Sequence, residues 1–575
     1  MKPFCCCFLL LLFLYYTQAF SQDPGKAYIE AWKQFYPSQA LDQGIRQAVF
    51  DYEDLSPGRI QEWMSFNETL LEQLSDSGAP YVVGNPIDAR LLRIQIRTEI
   101  DRWKREALHR HSPALYAGLI AGAVDPLLEA DYLTLPEKSK LVCRRLASVQ
   151  DLCIAAMQSL EGGDREEIAS SLERLAFARA FYRDPLPEQL ESAGIPLCDG
   201  FSRHCETTAE SVQQLITYVK DKLLPKAKAA DPILGRDEYA RKLGLYTDRP
   251  LTPEALAEMA LEEIEQVRAL IGEVSREYLK NQYPDLTVSE DYETVVKAAF
   301  GDMEKDAPSS GAEYLAFWQE LSDQAIWFIE EKEIATLPEF QTLRIVPAPE
   351  SAGPAARIGW VDSAPPFAPN PVTTLYLPSI PDNFPEQERI DFWSSFNKPF
   401  NRMIVIHELF PGHYMQIKIS RESPHPLRLL FPYGAYFEGW ATFTERVVLD
   451  AGWEKDHPLT FLAHLRKRLE NANRAYTSVQ VHCNGWTPEK VMTFSTQTSL
   501  LAPQFAKSLW GRLMRSPMQM TSYFWGGRQF TELLAVEKER LGERFNLKDF
   551  TDTIMRAGPI PIDEFSGIFK ESIPK

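Results

Sequence analysis

Runs of apolar residues at helical spacing are the feature that most constrains how this chain folds. The pattern is clearest in residues 88–112, 136–181 and 251–279, where apolar positions recur every three or four residues between charged ones. The third segment opens with Thr252, a good N-cap residue, and Pro253, which suits the first helical position. The sequence therefore predicts a mainly α-helical fold.

Residues 337–385 interrupt the helical pattern with a dense run of prolines. Three short β-branched stretches in it, TLRIV, ARIGWV and TTLYL, predict small strands joined by turns. We interpret the segment as a small β-hairpin insertion. The expected organisation is an N-terminal helical region over 22–336, the hairpin segment over 337–385 and a C-terminal helical catalytic region over 386–575, which together form one unit.

The first residues, MKPFCCCFLLLLFLYYTQAFSQ, have the layout of a secretory signal peptide. One lysine precedes a short apolar run, and Ala19 and Ser21 satisfy the small-residue rule for cleavage after residue 21. The run is short for a membrane span, which needs about 20 apolar residues. We therefore expect a periplasmic or secreted protein that has lost residues 1–21 and has no stable membrane insertion.

Two cysteines bear on the oxidising environment that a periplasmic or secreted location implies. Cys198 and Cys205 are close enough in sequence to form a disulfide in an oxidising environment, with buried free thiols as the alternative. No Cys-x-x-Cys pair follows residue 21, so a cysteine-based zinc site is not expected. The formal net charge of −19 argues against a nucleic-acid partner, which would require a basic patch.

The segment HELFPGH, residues 407–413, begins like the His-Glu-x-x-His helix of zinc hydrolases, but its second histidine comes late. Residues six positions apart on an unbroken helix point about 240° away from each other, so His407 and His413 could not easily share an ion. Pro411 removes the helical hydrogen bond to the His407 carbonyl and crowds that carbonyl. Gly412 tolerates an unusual backbone angle. We expect the helix to break at these two residues and so return His413 to the face of His407.

A hydrolytic zinc site also needs a third protein ligand and a base beside the open position. The segment GAYFEGWATFTERV offers Glu438 and Glu445, which fall within about 20° of one helix face. Glu438 is the candidate ligand, and Glu445 is the candidate acceptor for the ring N–H of a ligating histidine. The alternatives are an acidic pair on a solvated helix face and a purely structural His413. Two histidines and one glutamate favour zinc over harder ions.

Several segments resemble the DUF885 family of bacterial proteins, which are regarded as zinc peptidases of the gluzincin type. HELFPGHYMQ resembles the family's His-Glu-x-x-Pro-Gly-His signature, and FEGWATFTE resembles its Glu-Gly-Trp-Ala segment. SPMQMTSYFWG, VHCNGW, residues 544–563 and the opening FYPSQALDQGIRQAVFDYEDLS are similar to further family segments. The resemblance covers most of the chain after the signal segment.

The resemblance implies a large helical peptidase-like fold with a deep central cleft. Carried over position by position, it implies that His407, His413 and Glu438 hold zinc and that Glu408 is the general base. The chain departs from the family pattern at three positions: Tyr414 replaces a second histidine after Gly-His, Met518 replaces the glycine of Pro-Gly-Gln, and Thr551 replaces a histidine of the C-terminal block. The first departure leaves the implied ligands intact, and the other two bear on substrate handling.

Together these residues predict a zinc-dependent peptidase that hydrolyses short peptides. Glu408 would take a proton from metal-activated water, and Tyr523, or as second choice His482, would donate to the developing oxyanion. Arg512 is a candidate for binding a substrate carboxylate. A packed core aromatic is the alternative for Tyr523, and a structural ion pair is the alternative for Arg512. A non-catalytic peptide-binding protein and a zinc hydrolase of non-peptide amides also fit these residues.

Overall fold

The computed structural model describes residues 23–75, 85–229, 232–285, 287–339, 342–369, 371–381 and 383–572. The predicted signal peptide, residues 1–21, lies outside them. The chain is mainly α-helical with one small sheet, as the sequence predicted. It divides into two compact units, Met1–Asp231 and Pro232–Lys575. In the described part of the chain, no helix is both long and apolar enough to cross a bilayer.

The first unit is built from helices. They are α1 (Pro24–Phe35), α2 (Pro37–Asp42), α3 (Pro57–Ser75), α4 (Pro86–Ile100), α5 (Leu108–His111), α6 (Pro113–Ala121), α7 (Asp125–Glu129), α8 (Leu135–Ser159), α9 (Arg165–Arg183), α10 (Pro185–Ser192) and α11 (Phe201–Tyr218). Single turns of 3₁₀ or π helix lie at Arg46–Phe50, Asp101–Arg105, Val219–Leu223 and Leu224–Lys226.

A disulfide in the first unit joins Cys143 of α8 to Cys198, which lies just before α11. The pairing of Cys198 with Cys205 that the sequence suggested is therefore wrong. Cys205 is a buried free thiol in α11, so the alternative considered for it holds. Because α8 and α11 pack against each other, Cys198 meets a residue distant in sequence rather than its near neighbour.

The second unit contains the remaining helices and the sheet. Its helices are α12 (Arg236–Thr247), α13 (Pro253–Gln282), α14 (Tyr292–Lys305), α15 (Gly311–Glu331), α16 (Glu386–Ser395), α17 (Lys398–Glu408), α18 (His413–Ser420), α19 (Pro426–Leu430), α20 (Tyr436–Asp450), α21 (Pro458–Asn484), α22 (Pro488–Thr493), α23 (Pro503–Arg515), α24 (Pro517–Leu541), α25 (Leu547–Ala557) and α26 (Phe565–Ser572). Short 3₁₀ or π turns lie at Glu350–Arg357, Phe494–Thr498, Gly542–Arg544 and Ile562–Glu564.

Helices α13 and α21 form the main helical pair of the second unit. The Thr252 side chain caps α13 by accepting a 3.2 Å hydrogen bond from the Ala255 N–H, with Pro253 at the first helical position, as predicted. Apolar residues of α13 such as Leu256 and Ile264 are buried against α21. Helix α13 thus packs with the C-terminal helices, although its sequence precedes the proline-rich segment.

The proline-rich segment forms a three-stranded sheet. Strands β1 (Leu343–Pro347), β2 (Trp360–Asp362) and β3 (Thr373–Leu377) match the three stretches that the sequence singled out. The order is β1-β3-β2, with β2 and β3 antiparallel and β1 parallel to β3. The predicted hairpin is therefore the β2–β3 pair, and β1 extends it on the other side of β3.

The residues considered next lie on six helices of the second unit, α17, α18, α20, α21, α23 and α24. Helix α17 packs on both α20 and α21, and α24 packs on the same two helices. The second unit therefore brings HELFPGH, the Glu438 segment and Tyr523 into one region.

Candidate metal centre

The HELFPGH segment breaks its helix where the sequence predicted. Helix α17 is capped by Asn397, whose side chain accepts a 3.0 Å hydrogen bond from the Phe400 N–H, and it ends at Glu408. A new helix, α18, begins at His413. The four residues between them include a cis peptide bond between Phe410 and Pro411. By interrupting the helix, these residues bring His413 back to the side of His407, which an unbroken helix would not do.

Gly412 meets two requirements of this break. Its φ of −70° lies outside the left-handed region, but its ψ of −142° lies outside the usual helical and β ranges, which agrees with the unusual backbone angle that the sequence predicted. A Cβ at this position would also lie 1.9 Å from the His407 carbonyl oxygen and 2.3 Å from that of Ile406. Trp440 stabilises the break, because its Nε1–H donates a 2.8 Å hydrogen bond to the Pro411 carbonyl. The glycine allows the segment to fold back onto the end of α17.

Three side chains converge as a result. His407 Nε2 lies 3.6 Å from Glu438 Oε2, and His413 Nε2 lies 3.4 Å from the same oxygen. All three ligand atoms are within 4.8 Å of one another, and the two imidazole planes are nearly perpendicular. Donor atoms around a tetrahedral zinc with bonds of about 2.0–2.1 Å are about 3.3 Å apart. The donor set and its spacing therefore fit zinc.

The charges of the cluster also fit a cation. Glu438 Oε2 is buried and has no hydrogen-bond partner among the described residues. Burial raises the pKa of Glu438, but the His407 and His413 imidazoles outweigh it and hold that pKa well below its usual range. Burial lowers the pKa of His407, but Glu438 and Glu445 outweigh it and raise that pKa to about 10. The two shifts show that the buried carboxylates favour positive charge at the cluster, which a metal ion would supply.

Glu445 occupies the supporting position that the sequence predicted. Its Oε1 lies 2.7 Å from His407 Nδ1, and its Oε2 lies 3.0 Å from His464 Nδ1. Burial raises the pKa of Glu445, but the two imidazoles hold it at about 2. Sequence reasoning missed His464, because it lies on α21 outside any recognisable motif.

Glu408 is the last residue of α17 and directly follows the ligand His407. Its carboxylate is half-buried and has no ion pair or hydrogen bond within the described residues. An unengaged carboxylate next to a ligand position is available to exchange protons with a molecule at the centre.

Tyr523 reaches the same region from α24. Its ring is buried, and the Arg474 guanidinium lies 4.5 Å from the ring centre. Burial and the charge of Glu438 raise the pKa of Tyr523 well above its usual range, so its hydroxyl keeps its proton. Arg512 Nη2 lies 3.5 Å from the Tyr523 hydroxyl. Sequence reasoning missed Arg474, since only the packing of α21 against α24 reveals it.

Arg512 forms no ion pair with a carboxylate within 4 Å in the part of the chain that the structure covers. The structural ion pair considered as its alternative role is therefore not formed at that distance, although the half-buried guanidinium donates to the Tyr523 hydroxyl and helps to lower the pKa of Glu470.

His482 is not brought to the centre, so its candidacy as an oxyanion donor is corrected. It lies on α21 about 12 Å beyond Arg474 at 1.5 Å per residue. Its Nδ1 accepts a 3.2 Å hydrogen bond from the Leu234 N–H, and its Nε2 lies 3.1 Å from the Leu513 carbonyl oxygen. Both ring nitrogens are therefore used in joining segments of the fold.

The profile of DUF885, a family described as bacterial proteins of unknown function, matches residues 37–566. The chain belongs to the DUF885 family. A solved structure of a candidate lipoprotein of unknown function from Shewanella oneidensis is similar with a TM-score of 0.81, covering 96% of this chain and 99% of that one at 20% identity. A candidate lipoprotein from Colwellia psychrerythraea is similar with a TM-score of 0.68, covering 96% and 98% at 17% identity. These likenesses establish the fold alone, and no curated protein matches the sequence.

The three departures from the DUF885 pattern all have partners away from the ligand atoms. The buried Tyr414 hydroxyl accepts a 2.9 Å hydrogen bond from the Thr342 N–H. The Thr551 hydroxyl donates to the Ile334 carbonyl. Met518 packs against the apolar cluster around α13 and α21. The three substitutions therefore leave the His407, His413 and Glu438 arrangement intact.

Proposed function

We propose that this DUF885 protein is a zinc-dependent peptidase that cleaves short peptides. The observation that carries the proposal is the convergence of His407, His413 and Glu438 with their ligand atoms within 4.8 Å of one another. The proposal gains support from the unpartnered buried oxygen of Glu438 and from the hydrogen bond of His407 to Glu445. A donor set of two histidines and one glutamate leaves a fourth position for water or substrate.

Zinc bound there would polarise a water molecule and a substrate carbonyl. Glu408, adjacent in sequence to His407, accepts the proton from the attacking water and passes it to the leaving amine. Tyr523 donates a hydrogen bond to the oxygen on which negative charge develops, and its raised pKa keeps that donor protonated. Arg512 binds a substrate carboxylate through the guanidinium donors that it does not use on Tyr523.

The burial of the ligands supports short or extended substrates. The side chains of His407, His413 and Glu438 are 5%, 16% and 21% exposed, so a bond on the surface of a folded protein could not reach them. A periplasmic or secreted location is part of the proposal. It rests on the signal-like N-terminus and on the similarity to two candidate lipoproteins.

The test combines a metal measurement with a digest. Purified protein is analysed for bound zinc and incubated with a peptide library, with and without a chelator, and the products are identified by mass spectrometry. We expect about one zinc per chain and cleavage that is lost on chelation and restored by zinc. Cleavage that is unaffected by chelation would refute the proposal.

The Glu408→Gln variant tests the base directly. We expect it to keep zinc and to lose cleavage, and Glu422→Gln, a change at an exposed glutamate of the same region, to keep both. Turnover at the wild-type rate by Glu408→Gln would remove Glu408 from the mechanism. Zinc-free protein that binds peptides without cleaving them would favour a peptide-capture protein instead.

A further inference from the structure

Three side chains form a hydrogen-bonded line that leads away from the proposed metal centre. His407 Nδ1 is bonded to Glu445 Oε1, and Glu445 Oε2 is bonded to His464 Nδ1. All three are buried, and Glu445 and His464 are fully enclosed. The line connects a ligand on α17, through α20, to a histidine on α21.

The hydrogen bonds define the role of each ring nitrogen. His407 presents Nε2 to the ligand cluster, so its Nδ1 carries the hydrogen that Glu445 accepts. A buried carboxylate needs donors for both of its oxygens. In the described chain, these donors are His407 and His464, one for each oxygen. With one donor the carboxylate could rotate about its terminal bond, and with two its plane is fixed.

The second ring nitrogen of His464 is not used in the line. His464 is fully buried, and its Nε2 has no hydrogen-bond partner among the described residues. It lines a cavity of about 920 Å³ that also contacts Thr442, Asn471 and Tyr523. Arg446 and Asp450, at the same cavity, are well exposed, so solvent reaches it. Because an ionised carboxylate can only accept, the hydrogen of a neutral His464 lies on Nδ1 and is donated to Glu445, and Nε2 is the nitrogen without a hydrogen.

We propose that His464 is a positioning residue for the metal centre. Through Glu445 it fixes the orientation and tautomer of His407 and thereby strengthens metal binding, although it touches neither metal nor substrate. This inference rests on the proposed zinc site. Removing an outer partner of a ligating histidine typically lowers metal affinity about 10–100-fold.

Two substitutions distinguish the positioning role of His464 from the effect of its side-chain volume. His464→Leu removes the donor to Glu445 and fills much of the same space. His464→Asn retains a donor, because the Asn Nδ2 takes the place of the imidazole Nδ1. Zinc dissociation constants are measured on purified, metal-stripped protein by competition with a chromophoric chelator. We expect His464→Leu to bind zinc 10–100-fold more weakly than wild type and His464→Asn to stay within about 3-fold of it.

His482→Leu is the matched control, since it removes another buried histidine of α21 that bonds only to distant backbone groups. We expect it to lower thermal stability without changing zinc affinity. A double-mutant cycle with Glu445→Gln checks the route: if His464 acts through Glu445, His464→Leu adds little to the loss already caused by Glu445→Gln.

The outcomes separate the inference from the proposed function. Wild-type protein that does not bind zinc at the cluster refutes the zinc site itself. Wild-type protein that binds zinc while a folded His464→Leu variant retains wild-type affinity refutes the positioning role alone. Equal losses in His464→Leu and His464→Asn would also refute it, because the retained donor would then have no effect.

Discussion

Replacing Gly412 by alanine should damage the centre by steric overlap. The added Cβ would lie 1.9 Å from the His407 carbonyl oxygen, whereas such contacts are essentially never below 3.0 Å. The backbone at Gly412 must therefore move by about 1 Å relative to the end of α17. His413 is the next residue and moves with it.

Gly412→Ala should lower both the stability of the fold and its affinity for zinc. Overpacking a folded interior costs about 1–3 kcal/mol, and we expect the upper end because the obstructing atoms belong to the backbone of a helix. Metal sites tolerate changes of only about 0.2 Å in ligand distance, so a shift of about 1 Å should remove His413 from the ligand set. Zinc affinity should then fall by at least 100-fold, the upper limit for loss of an outer partner.

Urea denaturation measures the loss of stability, and competition with a chelator measures the loss of zinc affinity. Gly301→Ala is the matched control, because Gly301 lies within helix α14 and a Cβ there would meet nothing within 4 Å. It should stabilise the protein by about 0.5–1 kcal/mol and leave zinc affinity unchanged. The two identical substitutions thus have opposite expected signs. A Gly412→Ala protein with wild-type urea midpoint and zinc affinity would refute the close-approach explanation.

Three further predictions concern the side chains around Tyr523. Tyr523→Phe should lower kcat about 10²–10³-fold with zinc affinity unchanged, and a kcat close to wild type would exclude it as the oxyanion donor. Arg512→Ala should raise KM at least 10-fold for peptides with a free C-terminal carboxylate but not for their amidated forms, whereas equal effects on both would indicate that Arg512 only supports Tyr523. Burial raises the pKa of Glu470, but cations led by Arg474 hold it at about 2. Because this pKa is depressed in the folded state, Glu470 contributes stability above about pH 4.5 that is lost as the pH falls towards 2. The urea midpoint of Glu470→Gln should therefore vary less than that of wild type between pH 2 and 4.5, and parallel curves would contradict this assignment.

Features encoded over a few residues were predictable from the sequence. The cap at Thr252 and Pro253 depends only on neighbouring backbone groups, and the structure forms it as expected. The break at Pro411 follows from the missing N–H of proline. The alignment of Glu438 and Glu445 follows from helix periodicity, which brings both to the side of His407.

Features that depend on which helices pack together were not predictable. Cys143 pairs with Cys198 because α8 packs on α11, which no local pattern reveals. His464 joins Glu445 by the same kind of contact, between α20 and α21. His482 was a candidate because of its segment, but its position two turns of α21 beyond Arg474 places it among structural contacts. Residue type and spacing identified the ligands, and packing decided which other side chains reach them.

Close backbone approach at glycines links the two halves of the centre. Gly412 allows His413 to fold back towards His407, because a Cβ at this position would lie 1.9 Å from the His407 carbonyl oxygen. A second approach occurs where α20 crosses α24: a Cβ on Gly439 would lie 2.5 Å from the Gly526 Cα, and one on Gly526 would lie 2.2 Å from the Ala435 carbonyl oxygen. Glu438 immediately precedes the first of these glycines, and Tyr523 lies one helical turn before the second. The same crossing therefore sets the distance from the third ligand to the proposed oxyanion donor. None of the three glycines has a positive φ, so each serves by leaving room for another segment of backbone. Larger residues at Gly439 or Gly526 would push α20 and α24 apart and so separate Tyr523 from Glu438.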